Sequence, residues 1–244
     1  MSKFVVLIPW SNPTDPYRRA ALDHVVKFWA GHHIEAITFT GGSVGEWTHG
    51  RPWSKGAAVI EGTRWLADAE YIAVSDADVI PQWAYVDSIG KALAAGARWG
   101  VPHAKVRRLS IGGSEAVLQG ELDPFSHHVG LDYEHRGMVG GGFVMLRKEA
   151  LVQCPIDPRF EAWGNEDESW AIALTALFGR PTRGSGVLAH LWHPRAPRLS
   201  PFVGTPESKA LRDRYNAARR NPAAIRAIIA EFAADYGLSK GAPK

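Results

Sequence analysis

Tyr71-Ile72-Ala73-Val74-Ser75-Asp76-Ala77-Asp78 decides the fold. An unbroken apolar run gives way to two acids with one residue between them. Such a run suits a strand buried on both faces, as in a parallel sheet. The residues upstream keep the matching rhythm. Phe4–Pro9 is a second such run. Pro16 follows Asp15 at a first helical position, and Leu22, Val25, Val26 and Trp29 give Tyr17–Ala30 helical spacing. Ile34–Phe39 reads as a strand, closed by Gly41-Gly42, and Ser54–Ala67 as a helix. The first third therefore alternates strand and helix, which predicts a parallel sheet with helices on both faces. Ligands of such sheets bind beyond the carboxyl ends of the strands. Asp76 and Asp78 stand there.

Downstream, the pattern predicts a helix over Gln82–Ala95 and a short strand over Trp99–Pro102. Residues 107–137 are rich in Gly, His and charge and read as an irregular binding loop or lid. Gly140-Gly141-Gly142 precedes a strand at Phe143–Leu146. A helix follows at Gly164–Leu177 and a last strand at Gly186–Trp192. Two amphipathic helices, Pro206–Arg220 and Pro222–Tyr236, carry Ile225, Ile228, Ile229 and Phe232 on an apolar side suited to packing on the domain. The expected organisation is an α/β catalytic domain over 1–200 and a helical extension over 201–244 packed on it.

Bulk composition agrees. The chain has 244 residues, 45% of them hydrophobic, enough to bury roughly 70–75% of its unfolded surface without disulfides or a structural metal. Its single cysteine, Cys154, has no partner within the chain, which fits a reducing compartment. MSKFVVLIPW reads as a buried first strand rather than a signal peptide, and no apolar run approaches the ~20 residues of a membrane span. The expected location is the cytoplasm, with peripheral attachment to a membrane compatible. A net charge of +3 suits an anionic ligand but is no nucleic-acid footprint. The ten tryptophans read first as core, although indoles also stack on sugars.

Four constellations carry candidate chemistry. Asp76 and Asp78 at a strand end can bind a hard divalent cation, one ligating and the other orienting water or a ribose; alone, the pattern is also that of a solvated turn. Trp163-Gly164-Asn165-Glu166-Asp167-Glu168 places three acids at a helix start. The macrodipole explains one or two of them. The preceding Trp163 and Gly164 add a stacking surface and a close backbone approach for an acceptor, and a carboxylate held there can take a proton from an attacking hydroxyl. His190-Leu191-Trp192-His193 offers imidazole ligands, His190 first and His193 second. On a strand these two face opposite sides, so both reach one metal only if the strand ends between them. Last, Arg51-Pro52-Trp53-Ser54-Lys55-Gly56 precedes a helix, where Trp53 could pack on a base and Lys55 could meet phosphate; the plain alternative is an exposed basic loop.

Together these motifs resemble the GT-A superfamily, the Rossmann-like nucleotide-diphospho-sugar transferases whose central, mostly parallel sheet is flanked by helices. They are most similar to the galactosyltransferase-like inverting enzymes and the related polypeptide GalNAc-transferases and chondroitin polymerases. Where the galactosyltransferases have a phrase like FSDVDLIP, this chain has Val74-Ser75-Asp76-Ala77-Asp78-Val79-Ile80-Pro81. Where they have FNRAKLLNVG, it has Trp53-Ser54-Lys55-Gly56-Ala57-Ala58-Val59-Ile60-Glu61-Gly62. Their Gly-Gly strand and Trp-Gly-Gly-Glu-Asp correspond to Gly141-Gly142-Phe143 and Trp163-Gly164-Asn165-Glu166-Asp167, and a metal-binding histidine follows as His190. The resemblance runs from Phe4 to His193.

It implies a Mn²⁺ (or Mg²⁺) enzyme that moves a sugar from a nucleotide-sugar donor, with a UDP-sugar favoured, to a hydroxyl acceptor. Asp78 and His190 would hold the metal; the resemblance leaves the third ligand unassigned, and His193 is the candidate that the residues themselves offer. Pro9, Trp53, Lys55, Asp76 and Asp78 would bind the donor. Asp167 would be the catalytic base of an inverting displacement, supported by Glu166, and Trp163, Gly164 and Gly142 would bind the acceptor. The acceptor could be a glycan, a protein side chain or a modified nucleic-acid base. The chain departs from the pattern at Pro9-Trp10-Ser11, where the family has an arginine that Arg18 or Arg19 would have to replace. It also departs at Asn165, which stands for a glycine. Two rivals remain. A nucleotidyltransferase shares the acidic metal site but usually needs a Gly-rich basic loop after the first strand, unlike Pro9-Trp10-Ser11-Asn12-Pro13. A non-catalytic carbohydrate-binding protein would use the tryptophans without needing Asp76, Asp78 and Asp167 together.

Overall fold

The computed structural model describes residues 4–11, 15–39, 53–66, 68–161, 164–194 and 205–237. β1 (Phe4–Pro9) shows how the sheet is built. Val5 and Leu7 enter one hydrophobic cluster, Val6 and Ile8 the other, so both faces of the strand are covered. After it come α1 (Pro16–Gly31), β2 (Glu35–Phe39), α2 (Lys55–Thr63), β3 (Tyr71–Ser75) and β4 (Val79–Pro81). α3 (Trp83–Ala94), β5 (Trp99–Leu109), α4 (Ile111–Leu118), β6 (Leu131–Arg136) and β7 (Phe143–Arg147) follow. The chain continues through α5 (Lys148–Gln153), α6 (Glu166–Phe178), β8 (Thr182–His190), α7 (Pro206–Ala218) and α8 (Pro222–Ala233). The sheet order is β2-β1-β3-β7-β5-β8-β4, with β6 paired to β5. β1, β2, β3, β5 and β8 run one way, and β4, β6 and β7 run against them.

Local chemistry sets the helix starts. The Asp15 side chain accepts from Arg18 N, with Pro16 in the first turn; Ser54 accepts from Ala57 N to open α2. One cluster covers the face under α2, α5 and α6 and takes in Leu211, Tyr215, Ile225, Ile228 and Phe232 of the tail. The other lies under α1 and α3. No helix among the described residues is long and apolar enough to cross a membrane.

The structure differs from the sequence reading over residues 107–137. They are not an irregular loop: β5 extends to Leu109, α4 follows, and β6 returns beside it. The pattern hid them for physical reasons. Every residue of β6 is exposed, so Leu131–Arg136 shows no apolar alternation. α4 carries Gly112 and Gly113, poor helix formers. Gly113 is there because a Cβ would lie 2.4 Å from Gly130 O. β8 also begins and ends earlier than Gly186–Trp192, because β5 pairs it from Thr182 onward.

Candidate active site and metal centre

The Asp76-Ala77-Asp78 turn between β3 and β4 is the hub. Strand pairing fixes both its sides. Asp76 N donates to Gly142 O (2.8 Å), since Ser75 lies opposite Phe143 in the β3–β7 register. Leu191 N donates to Asp78 O (2.8 Å), since Val79 lies opposite His190. Because the chain turns here, the two carboxylates serve different partners.

Asp78 faces the end of β8. Its Oδ2 lies 3.0 Å from His193 Nε2 and its Oδ1 3.6 Å from His190 Nε2. The strand ends at His190, so His193 folds back to the same side. Ligand atoms of Asp78, His190 and His193 all lie within 4.8 Å of one another. His190 Nδ1 lies 2.8 Å from Leu191 O and His193 Nδ1 2.8 Å from Pro194 O. A carbonyl only accepts, so each Nδ1 carries a hydrogen and each Nε2 is left as the metal-facing atom. A neutral Nε2 lone pair against a carboxylate oxygen repels; a proton or a cation between them relieves it. Burial pushes the Asp78 carboxyl up, but a protonated His190 and a hydrogen bond from a protonated His193 outweigh it and hold the group well below its usual range. Asp78 Oδ1 is buried with no hydrogen-bond partner. Two imidazoles and a carboxylate suit a divalent transition ion such as Mn²⁺ better than Mg²⁺, which prefers oxygen alone.

Asp76 faces the other way. Lys55 Nζ, at the start of α2, donates to Asp76 Oδ1 (2.6 Å) and Asp167 Oδ1 (2.9 Å). Burial would lower the ammonium's pKa; Asp167, then Asp76 and Glu166, outweigh it and hold it well above the ordinary range. The Asp167 carboxyl is pushed up to about 7 by burial, with Lys55 opposing and Glu166 and Asp76 adding repulsion. Burial also raises Glu166, although Lys55 opposes it; its Oε2 accepts from Gly164 N (2.9 Å). Asp167 Oδ1 is taken by Lys55. A Cβ added at Gly141 would stand 3.7 Å from Asp167 Oδ2 and 3.4 Å from the Met138 Cβ, in contact with both. Asp76, Asp167 and Asp78 keep 34%, 21% and 14% of their side-chain surface exposed, so a ligand can reach all three, whereas Lys55 keeps 8%.

Pro9 ends β1, buried opposite Phe39. Trp53 packs against the core cluster beside α2. Gly142 takes φ +75°, and a Cβ there would meet Leu188 at 2.5 Å; Gly164 takes φ +112°. Trp163, Arg51 and Pro52 lie outside the described residues, as do Gly41 and Gly42. Arg18 Nη2 donates to Pro194 O (3.2 Å), behind His193, and Arg19 lies over Trp10. Asn165 holds φ +76°, a left-handed conformation that glycine adopts freely and asparagine more readily than most. Arg212 of α7 donates to its Oδ1 (3.3 Å). Sequence reasoning missed Arg108, whose Nη1 lies 2.7 Å from His190 Nε2. Its signal was faint: one arginine inside a stretch read as loop.

No family model and no curated protein matches the sequence. Solved structures do. A crystal structure of GalNAc-T7 with UDP, GalNAc and Mn²⁺ matches 97% of this chain and 55% of that one, at 11% identity and a TM-score of 0.51. A mutant of Drosophila β-1,4-galactosyltransferase 7, with manganese, UDP-Gal and xylobiose, is 14% identical over 79% of this chain and 72% of that one (TM-score 0.43). Glucosyl-3-phosphoglycerate synthase from Mycobacterium tuberculosis, with Mg²⁺ and UDP, is 14% identical over 80% and 73% (TM-score 0.44). The chain has the GT-A fold.

Proposed function

We propose that this chain is a metal-dependent glycosyltransferase that moves a sugar from a UDP-sugar to a hydroxyl acceptor with inversion. The observation that carries the reading is the single turn Asp76-Ala77-Asp78, which joins a three-ligand cation set to a half-buried carboxylate cluster at the strand ends of a GT-A sheet. Asp78, His190 and His193 would hold Mn²⁺. When bound there, the ion supplies positive charge to the diphosphate leaving group. Asp167 Oδ2 takes the proton of the acceptor hydroxyl as its oxygen attacks the anomeric carbon. Lys55 holds Asp167 Oδ1 and so aims the free oxygen. Asp76, tied to the same ammonium, lies on the donor side, and Glu166 keeps the helix start in place through Gly164 N. The fit of α7 and α8 to the core supports reading 201–244 as a helical extension of a catalytic unit over 1–200.

Incubation with UDP-glucose, UDP-galactose and their N-acetyl counterparts tests the reading. UDP release that needs Mn²⁺, stops in EDTA and returns with added Mn²⁺ is the expected result. Release that persists unchanged in EDTA, or transfer of a nucleotidyl group seen by mass spectrometry, would sink it. The anomeric configuration of the product separates inversion from retention.

A further inference from the structure

Arg108 stands beside the candidate metal ligands without an obvious anionic partner. It lies opposite His190 in the β5–β8 register, which makes the two backbones neighbours. Its Nη1 lies 2.7 Å from His190 Nε2, its Nε is buried with no hydrogen-bond partner, and its guanidinium sits over the Tyr133 ring at 5.8 Å. Among the described residues no carboxylate pairs with it. Its neighbour Arg107, by contrast, is matched by Glu134 at 3.1 Å.

His190 Nδ1 gives its hydrogen to Leu191 O, so Nε2 is the ring's one lone pair, and Arg108 donates into it. A cation on Asp78 and His193 needs that same lone pair. One lone pair cannot serve both, and a divalent ion would also repel a guanidinium this close. Arg108 must therefore give up His190 when the cation binds. Its five donors then need an acceptor, and the group that would answer both positive charges is an anion with several oxygens. Forked donation to phosphate is what a guanidinium does best.

We propose that Arg108 couples the two ligands of this site: it competes with the cation for His190 and, once displaced, clamps the diphosphate of the nucleotide. The cation alone then binds weakly, and cation and nucleoside diphosphate bind together. The inference rests on the metal reading of Asp78, His190 and His193, and deepens it.

The test is the affinity for Mn²⁺, followed by the electron-spin resonance signal of the free ion, without nucleotide and with UDP. It is run on the wild type, on Arg108→Met, and on Arg108→Gln, which serves if the methionine variant fails to fold. Removing the competitor should tighten Mn²⁺ binding without nucleotide about tenfold, while UDP binding at saturating Mn²⁺ weakens about ten- to a hundredfold, the loss of a charge-assisted contact. Coupling is reciprocal, so the strengthening of Mn²⁺ by UDP should shrink by the same factor as that of UDP by Mn²⁺. Mn²⁺ affinity unchanged by the substitution, or UDP affinity undiminished, overturns the coupling role and leaves the metal reading standing. A wild type that binds no Mn²⁺ even with UDP overturns both.

Discussion

Asp167→Asn lowers the transfer rate by about 10²–10⁴-fold, the usual contribution of a positioned general base, while the protein stays folded. The fold is spared because Lys55 keeps Asp76 and the amide oxygen still accepts its hydrogen bond. The pH dependence identifies the group. Burial pushes Asp167 up to about 7, against the pull of Lys55. The base works only when deprotonated, so kcat/KM of the wild type should rise with pH up to about 7 and level above it. In Asp167→Asn the residual rate should lose that rise. A folded Asp167→Asn protein that transfers at the wild-type rate, or keeps the same profile, removes Asp167 from the chemistry.

Lys55→Met destabilises the protein by about 2–3 kcal/mol at pH 8. Breaking a buried ion pair costs ~3–5 kcal/mol when the remaining charge is sealed in, and the partial exposure of Asp76 and Asp167 reduces that. Without the ammonium, the carboxyls of Asp167, Asp76 and Glu166 repel in a confined space, and Asp167 loses the influence that held it down. A carboxyl whose folded pKa is raised destabilises the fold above its unfolded value. The deficit should therefore be full above the variant's folded value, which lies higher than the wild type's, and shrink as pH falls from there towards the ordinary carboxylate range. Denaturant unfolding of both proteins at pH 8 and pH 5 measures it. Equal stability at pH 8 would show that Lys55 is not the counterion of this cluster.

The part of the site that was legible in the sequence is the part fixed by strand ends. Tyr71–Ser75 is a buried run, and whatever follows such a strand lies at the ligand-binding edge, so Asp76 and Asp78 could be placed from pattern alone. The helix start at Ser54 was legible from the pattern, and the acidic start of α6 from its charges. Which carboxylate meets which partner was not. Two residues apart on a strand they would share a face; the turn sends Asp76 to Lys55 and Asp78 to the histidines. Whether His193 could join His190 likewise depended on where β8 stops, which is set by its pairing with β4 and β5. Arg108 was out of reach because its strand continues past the apolar stretch Trp99–Pro102 into Lys105, Arg107 and Arg108, and a strand with an exposed partner need not look like one. Asn165 was legible only as a departure: its φ of +76° shows why a glycine would suit that position.

Thermal unfolding with UDP, with and without Mn²⁺, on the wild type and on Asp78→Asn, tests the central claim most directly. A ligand at ~100 times its dissociation constant that binds only the folded protein adds roughly 2.7 kcal/mol. For a chain of this size that moves the midpoint by about 5–10 °C. The account predicts that shift for the wild type with UDP and Mn²⁺ together, little with UDP alone, and none for Asp78→Asn under either condition. A UDP shift of the same size without metal, or one that survives in Asp78→Asn, would contradict a metal-dependent nucleotide-sugar site on this turn.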